Sequence, residues 1–139
     1  MTETLPTLYI LMRNDMESMN AGKAMAQASH ASNAFEKYAS ALEKTATKEW
    51  KAPLHQWRNE TPQGFGTVLV LAVNEQQMRQ AVETSQALGF VSGVVHDPTY
   101  PLRDGDTTHF LPVDTCAYVF GDRNDPMLKA VLGNFPLHP

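Results

Sequence analysis

Two nearly continuous apolar runs, at residues 8–12 and 67–73, constrain the fold of this chain more than any other feature. Neither run alternates between apolar and polar residues, so each is typical of a strand that is covered on both faces of a sheet. Each run is followed by a segment rich in helix-forming residues. Strands that alternate with helices predict an α/β fold, with helices packed on the sheet.

The rest of the chain continues this alternation. Asn74 is the expected N-cap of a helix, and Gly89 is its expected C′ residue. The predicted helices are 21–42, a stretch at 40–60 broken near Pro53, 75–88 and 126–133, and the further strands are 90–96 and 113–120. The predicted inward face of the first helix comprises Met25, Ala28 or Ser29, Ser32, Phe35 and Ala39. Residues 97–112 are expected to form a polar loop, and 134–139 an irregular tail.

These elements predict one domain over residues 1–139, a three-layer sandwich with a four-stranded mixed sheet flanked by helices. The third and fourth strands are expected to be neighbours. No apolar run approaches the length that spans a bilayer, and the N-terminus lacks the pattern of a signal peptide. The single cysteine, Cys116, is expected to be a buried thiol, which fits a reducing cytoplasm. No Cys/His spacing indicates a metal site, and no cofactor motif is present.

The segment from Met19 to Ala31 joins the first strand to the first helix. Lys23, Gln27 and His30 fall on one helical face, because they are separated by four and three residues. A helix whose first turn carries Gly-Lys presents a cation and backbone N–H groups to an anion. An ordinary amphipathic helix with solvated polar residues gives the same spacing, and the phosphate-binding P-loop pattern is absent.

The motif Gly22-Lys23-x-x-Ala26-Gln27-x-Ser29-His30-Ala31 resembles the signature of the type 2 peptidyl-tRNA hydrolases. A second group of residues matches the same family in order, namely Val94 to Asp97, Thr108 to Pro112 and Cys116 to Gly121. The chain departs from the family pattern in an insertion between Asp97 and Thr108. It also has Ala21 where the family often has a second lysine.

The resemblance implies an enzyme that hydrolyses the ester between a peptide and the 3′ end of tRNA. By the same resemblance, Lys23 stabilises transition-state charge or holds the terminal phosphate, and Asp97 orients water or the Lys23 ammonium. Gln27 and Thr108 are expected to supply hydrogen bonds, and all four residues to converge at one cleft. The resemblance further implies a homodimer that acts on peptidyl-tRNA.

Each of these residues also has a structural interpretation. Asp97 precedes Pro98 and is a common turn former, and Gln27 is an acceptable polar helix residue. His30 could act as a general base, but on a helix face rich in Ala and Ser it is more often a partly buried histidine with a structural role. For the whole chain, the alternative is a non-catalytic relative that acts as a binding or regulatory module, which Ala21, the insertion and the net charge of −4 favour.

The further candidates for substrate binding are basic or titratable: His30, Lys37, Lys44 and Arg103. Lysines 37, 44, 48 and 51 form one stripe if the helix is continuous, which suggests a surface for an RNA backbone. Interleaved glutamates at 36, 43 and 49 equally suggest a solvated face. Arg103 is expected at the tip of the inserted loop, 98–107, which we expect to be mobile and to control access to the site without building it.

Overall fold

The two apolar runs form neighbouring parallel strands in a computed structural model that describes residues 3–45 and 48–139. The strands are β1 (Pro6–Arg13), β2 (Val68–Val73), β3 (Val91–Asp104) and β4 (Thr107–Asp122). The helices are α1 (Ala21–Thr45), α2 (Lys51–Asn59), α3 (Glu75–Ala87) and α4 (Pro126–Leu132), with a short 3₁₀ turn at Lys48–Trp50.

The sheet is mixed and has the order β2-β1-β4-β3. β1 is parallel to β2 and antiparallel to β4, and β4 is antiparallel to β3. Helices α1 and α2 pack on one face of the sheet around Phe35, whereas α3 and α4 pack on the other face around Met78. The predicted three-layer α/β fold is therefore confirmed, and so is the pairing of the third and fourth strands. None of the described helices is long and apolar enough to cross a membrane.

The predicted strand at 67–73 lies at an edge of the four-stranded sheet, whereas the strand at 8–12 is central. The C-terminal tail covers its outer edge, because Ala72 donates its N–H to the Pro136 carbonyl and His138 donates to the Val70 carbonyl. Leu137 forms an isolated bridge with Leu71. The predicted irregular tail thus satisfies the edge hydrogen bonds that an apolar strand leaves unpaired.

The inward face of α1 differs from the prediction in its first half. The buried residues are Ala24, Gln27, Ala31, Phe35 and Ala39, whereas Met25 is 68% exposed. Small alanines bring the helix close to the sheet, and Phe35 fixes the register by packing among Trp57, Tyr118 and Phe120. α1 continues to Thr45, and Pro53 lies within the first turn of α2, where a missing N–H costs nothing.

The main difference from the prediction concerns residues 97–112, which form the outer half of a β-hairpin and not a loop. Asp104 pairs with Thr107 across a two-residue turn, and only Gly105 of that turn has a positive φ, of 61°. This arrangement is that of a type II′ turn, with glycine at its first central position. Pro98 and Pro101 are accommodated because β3 is an edge strand.

Replacing Phe35 with Ala should lower the free energy of unfolding by about 3–5 kcal/mol, because the ring is fully buried among three aromatic neighbours. Phe65→Ala is the matched control, because Phe65 is 66% exposed and its loss should cost less than about 0.5 kcal/mol. Chemical denaturation measures both values. Equal losses in the two variants would contradict the assigned core.

Candidate active site

The N-terminal turn of α1 is fixed by Asn20. Its Oδ1 accepts a hydrogen bond from the backbone N–H of Lys23 at 2.9 Å, so Asn20 is the residue that caps the helix. This cap places Lys23 in the first turn, directly after the loop that leaves β1. The Lys23 side chain therefore projects toward the inserted hairpin.

The Lys23 ammonium lies at the base of that hairpin. Its Nζ donates a hydrogen bond to the Pro101 carbonyl at 2.7 Å and lies 5.1 Å from the centre of the Tyr100 ring. Tyr100 is only 2% exposed, and its hydroxyl is hydrogen-bonded to Ser18 Oγ at 2.9 Å. The expectation that the insertion does not build the site is therefore wrong, since Tyr100 and Pro101 contact Lys23 directly.

Gln27, one turn further along α1, is 4% exposed and hydrogen-bonded at both ends of its amide. Nε2 donates to Asp97 Oδ2 at 2.7 Å, and Oε1 accepts from Thr115 Oγ1 at 2.7 Å. These two partners determine which amide end is oxygen and which is nitrogen. The result is a continuous hydrogen-bond chain, Thr115–Gln27–Asp97, that connects β4, α1 and β3.

Thr115 reaches Gln27 because β4 has a bulge at this position. Val95 pairs with Cys116 and His96 pairs with Asp114, so Thr115 has no partner across the sheet. A bulge changes which face of the sheet the following side chains occupy. Asp114 accordingly points to the opposite face, where Arg79 at 2.7 Å and His96 at 2.8 Å hold its carboxylate. Those two partners also lower the pKa of Asp114.

Thr108 was expected to join Lys23, Gln27 and Asp97, and the structure does not bring it there. It is exposed and pairs with Arg103 near the hairpin turn. Side chains alternate between the faces of a strand, so Thr108 and Arg103 lie on the opposite face of the hairpin from Tyr100. The convergence prediction fails for Thr108 because the inserted residues extend both strands and move it outward.

Asp97 is an ionised carboxylate within this hydrogen-bond chain. Burial opposes its ionisation, but the Thr99 N–H, the Gln27 amide and the Thr99 hydroxyl donate to it and hold its pKa below the usual value. The positive form of the His30 imidazole lowers the pKa further. The turn-forming role considered from sequence is also fulfilled, since Oδ1 accepts from the backbone of Thr99 at 2.9 Å.

The other basic candidates lie along α1 or at the hairpin tip. His30, Lys37 and Lys44 are exposed on α1, so the expected partial burial of His30 is wrong. Arg103 is exposed beside the hairpin turn, as expected for the tip. Among the described residues, no three His, Cys, Asp or Glu side chains are grouped as a metal site requires.

Sequence reasoning missed Tyr100 and Thr115. Tyr100 lay between two prolines in a segment assigned to a loop, which concealed it. The sequence gives only a weak indication that Thr115 belongs to the site, namely a polar residue directly before the apolar run 116–120. Its neighbour Cys116 contacts the Gln27 carbonyl at 3.5 Å, and burial raises the pKa of the Cys116 thiol to about 11. The thiol is thus protonated at neutral pH and is not an effective nucleophile.

Thr115→Val should lower the free energy of unfolding by about 1–3 kcal/mol, because it leaves the buried Gln27 Oε1 without a donor. Thr108→Val makes the same chemical change at an exposed position and should cost less than about 0.5 kcal/mol. Urea denaturation of the two variants compares them. A larger loss for Thr108→Val would refute the assignment of Thr115 as the partner of Gln27.

Asp97 should also contribute to the pH dependence of stability. Its pKa is lower in the folded chain than in the unfolded chain, so its contribution is fully present above about pH 4 and disappears as the pH falls below that value. Asp97→Asn should therefore flatten the acid limb of a plot of unfolding free energy against pH. An acid limb of unchanged slope would show that the carboxylate is not stabilised as described.

Comparison with known proteins identifies the family of the chain. The family model described as "Peptidyl-tRNA hydrolase PTH2" matches residues 7–137. This range includes α1 and the hairpin of β3 and β4. No curated protein sequence matched the chain. A match over nearly the whole domain is sufficient to identify the family, and the chain belongs to the PTH2 peptidyl-tRNA hydrolase family.

Proposed function

We propose that this protein hydrolyses the ester bond between a peptide and the 3′ end of tRNA, and so recycles tRNA. The observation that carries the proposal is that three groups lie on two successive turns of α1 and on the part of β3 beside them, with Lys23 bonded to Pro101 and Gln27 bonded to Asp97. These groups are the Lys23 ammonium, the doubly hydrogen-bonded Gln27 amide and the ionised Asp97 carboxylate. Membership of the PTH2 family supports the same reaction.

Lys23 supplies positive charge to the transition state. When water adds to the ester carbonyl carbon, the carbonyl oxygen becomes negatively charged, and a fixed cation in a partly buried site stabilises that charge. One hydrogen of the ammonium is bonded to the Pro101 carbonyl, which leaves two for the substrate. The Pro101 carbonyl and the Tyr100 ring limit the positions that the flexible lysine side chain adopts.

Asp97 orients the attacking water. Its lowered pKa keeps it anionic at neutral pH, so it accepts hydrogen bonds and is a poor proton acceptor. Gln27 occupies one lone-pair direction of Oδ2, and a water molecule takes the other. The bond between the carbonyl carbon and the 3′ oxygen then breaks. The ribose oxygen leaves with a proton that derives from the attacking water, giving a free peptide and tRNA.

Thr115 and Gln27 act together as positioning residues in this proposal. The Thr115 hydroxyl donates to Gln27 Oε1, so the amide turns its N–H, and not its carbonyl oxygen, toward Asp97. A reversed amide would place two oxygen acceptors against each other. Thr115 therefore takes the supporting role that the family resemblance had suggested for Thr108.

Lys23→Ala should lower kcat for peptidyl-tRNA hydrolysis by about 10²–10³-fold, the usual loss for a group that stabilises an oxyanion. Lys129→Ala removes an exposed lysine from α4, on the opposite face of the sheet from α1, and should leave kcat unchanged. Release of peptide from peptidyl-tRNA, measured under single-turnover conditions, compares them with the unmodified protein. A folded wild-type protein without hydrolytic activity would instead support the non-catalytic alternative.

The homodimer remains a prediction that rests on the family resemblance, and the cytoplasmic location remains one that rests on the single cysteine, Cys116. Apolar side chains available for a dimer interface include Leu5, Met25, Phe65 and Val68, each of which is more than one-third exposed. Sedimentation velocity at micromolar concentration would show a monomer if the dimer prediction is wrong.

A further inference from the structure

The net charge of −4 conceals an uneven distribution of charge. Residues 21–59, which comprise α1, the 3₁₀ turn and α2, contain six Lys and Arg against three Glu. The remaining residues contain five Lys and Arg against twelve Asp and Glu. The layer that covers one face of the sheet is therefore basic, with a formal charge of +3, whereas the rest of the chain has a formal charge of −7.

Within this layer, four side chains form a line along α1. Lys23, His30, Lys37 and Lys44 follow one another at intervals of seven residues. Seven residues are close to two helical turns, so the four share one side of the helix at spacings of about 10.5 Å. We call this line the α1 basic stripe. It extends for about 31 Å, from the active site to the last turn of the helix.

The glutamates that alternate with these lysines do not neutralise them. Arg58 of α2 binds Glu36 at 2.7 Å and also forms an ion pair with Glu43. Both carboxylates are thus directed toward α2 and compensated there. Across the described ranges 3–45 and 48–139, no Asp or Glu forms an ion pair with Lys37 or Lys44. Glu36 and Glu43 therefore leave the positive charges of Lys37 and Lys44 uncompensated.

We infer that the α1 basic stripe binds the RNA backbone of the tRNA, with the peptide ester at Lys23 and the body of the tRNA toward Lys44. The inference rests on the proposed function, and it adds an orientation to it. A row of cations that begins at a reactive centre suits a long polyanion whose end is the reacting group. The acidic remainder of the surface repels phosphate, which disfavours other orientations of the RNA.

The inference is tested by the salt dependence of binding to deacylated tRNA, which requires no catalysis. The variants are Lys37→Gln, Lys44→Gln, the double variant, and Lys129→Gln as the matched control. Lys129 is exposed on α4, on the opposite face of the sheet from α1. All of these substitutions affect exposed side chains, and circular dichroism verifies that each variant is folded.

A plot of the logarithm of the association constant against the logarithm of the salt concentration has a negative slope. Each stripe substitution should make that slope shallower by about one, because one phosphate contact is lost. Between 50 and 200 mM salt, the affinity of the wild-type protein should consequently fall about tenfold more than that of the double variant. Lys129→Gln should behave as the wild-type protein does. A double variant with the wild-type slope and affinity would overturn the inference.

The same variants separate this inference from the proposed reaction. Hydrolysis that requires Lys23 but has an unchanged KM in the double variant would refute the stripe and retain the enzyme. Stripe-dependent binding of tRNA without any hydrolysis would refute the enzyme and retain the stripe. Binding to polyglutamate that depends on Lys37 and Lys44, together with unaffected tRNA binding, would assign the stripe to an acidic protein partner and overturn the inference.

Discussion

The buried Gln27 amide is the interaction on which the site depends. An amide carries no net charge, so it can be buried at modest cost when both of its ends are hydrogen-bonded. Thr115 and Asp97 meet that requirement and join α1 to β4 and β3. Removing either partner leaves a buried polar atom unsatisfied, so the helix and the two strands are energetically coupled at this point. The alanines at 24 and 31, which flank Gln27 on the buried side of α1, permit this close approach.

The bulge at Thr115 makes the arrangement possible. One extra residue in β4 directs Thr115 toward α1, the face that its neighbour Cys116 also occupies, and directs Asp114 toward α3. Arg79 and His96 bind Asp114 and thereby hold the strand in this register from the other side. The inserted hairpin then continues beyond the bulge and brings Tyr100 and Pro101 to the Lys23 ammonium. A regular, unbulged β4 would direct Thr115 away from α1.

The electrostatic potential that a ligand meets on this protein depends on the charges of the nearest structural layer more than on the net charge of the whole chain. A net charge of −4 suggests weak attraction for RNA, yet the helical layer that carries the candidate site is basic. The Arg58 contacts with Glu36 and Glu43 join α1 to α2 and compensate two of the acids in that layer. Because screening limits the reach of exposed charges to about 8–10 Å, the local layer determines what a ligand encounters at the site. The overall charge governs solubility more than it governs recognition.

Local sequence patterns determined much of this protein. The apolar runs at 8–12 and 67–73 specify strands, Asn74 specifies the start of α3 through a capping box, and Gly89 adopts the positive φ expected of a C′ residue. The spacing of Lys23 and Gln27 puts them one turn apart on α1, and Asp97 follows an apolar run, at whose end it binds Gln27. These features depend on residues that are close in sequence, so a linear pattern records them.

Only the tertiary structure decided the rest. Residues 97–112 become strands because most of them pair with a partner across the hairpin, and this pairing overrides two prolines that locally favour a loop. The choice of Thr115 in place of Thr108 depends on the bulge, because a register shift of one residue reverses every side chain that follows. The edge position of β2 and its cover by the tail depend on which strands meet in space. Such hydrogen bonds form between residues that are distant in sequence, so no local pattern of propensity or hydrophobicity encodes them.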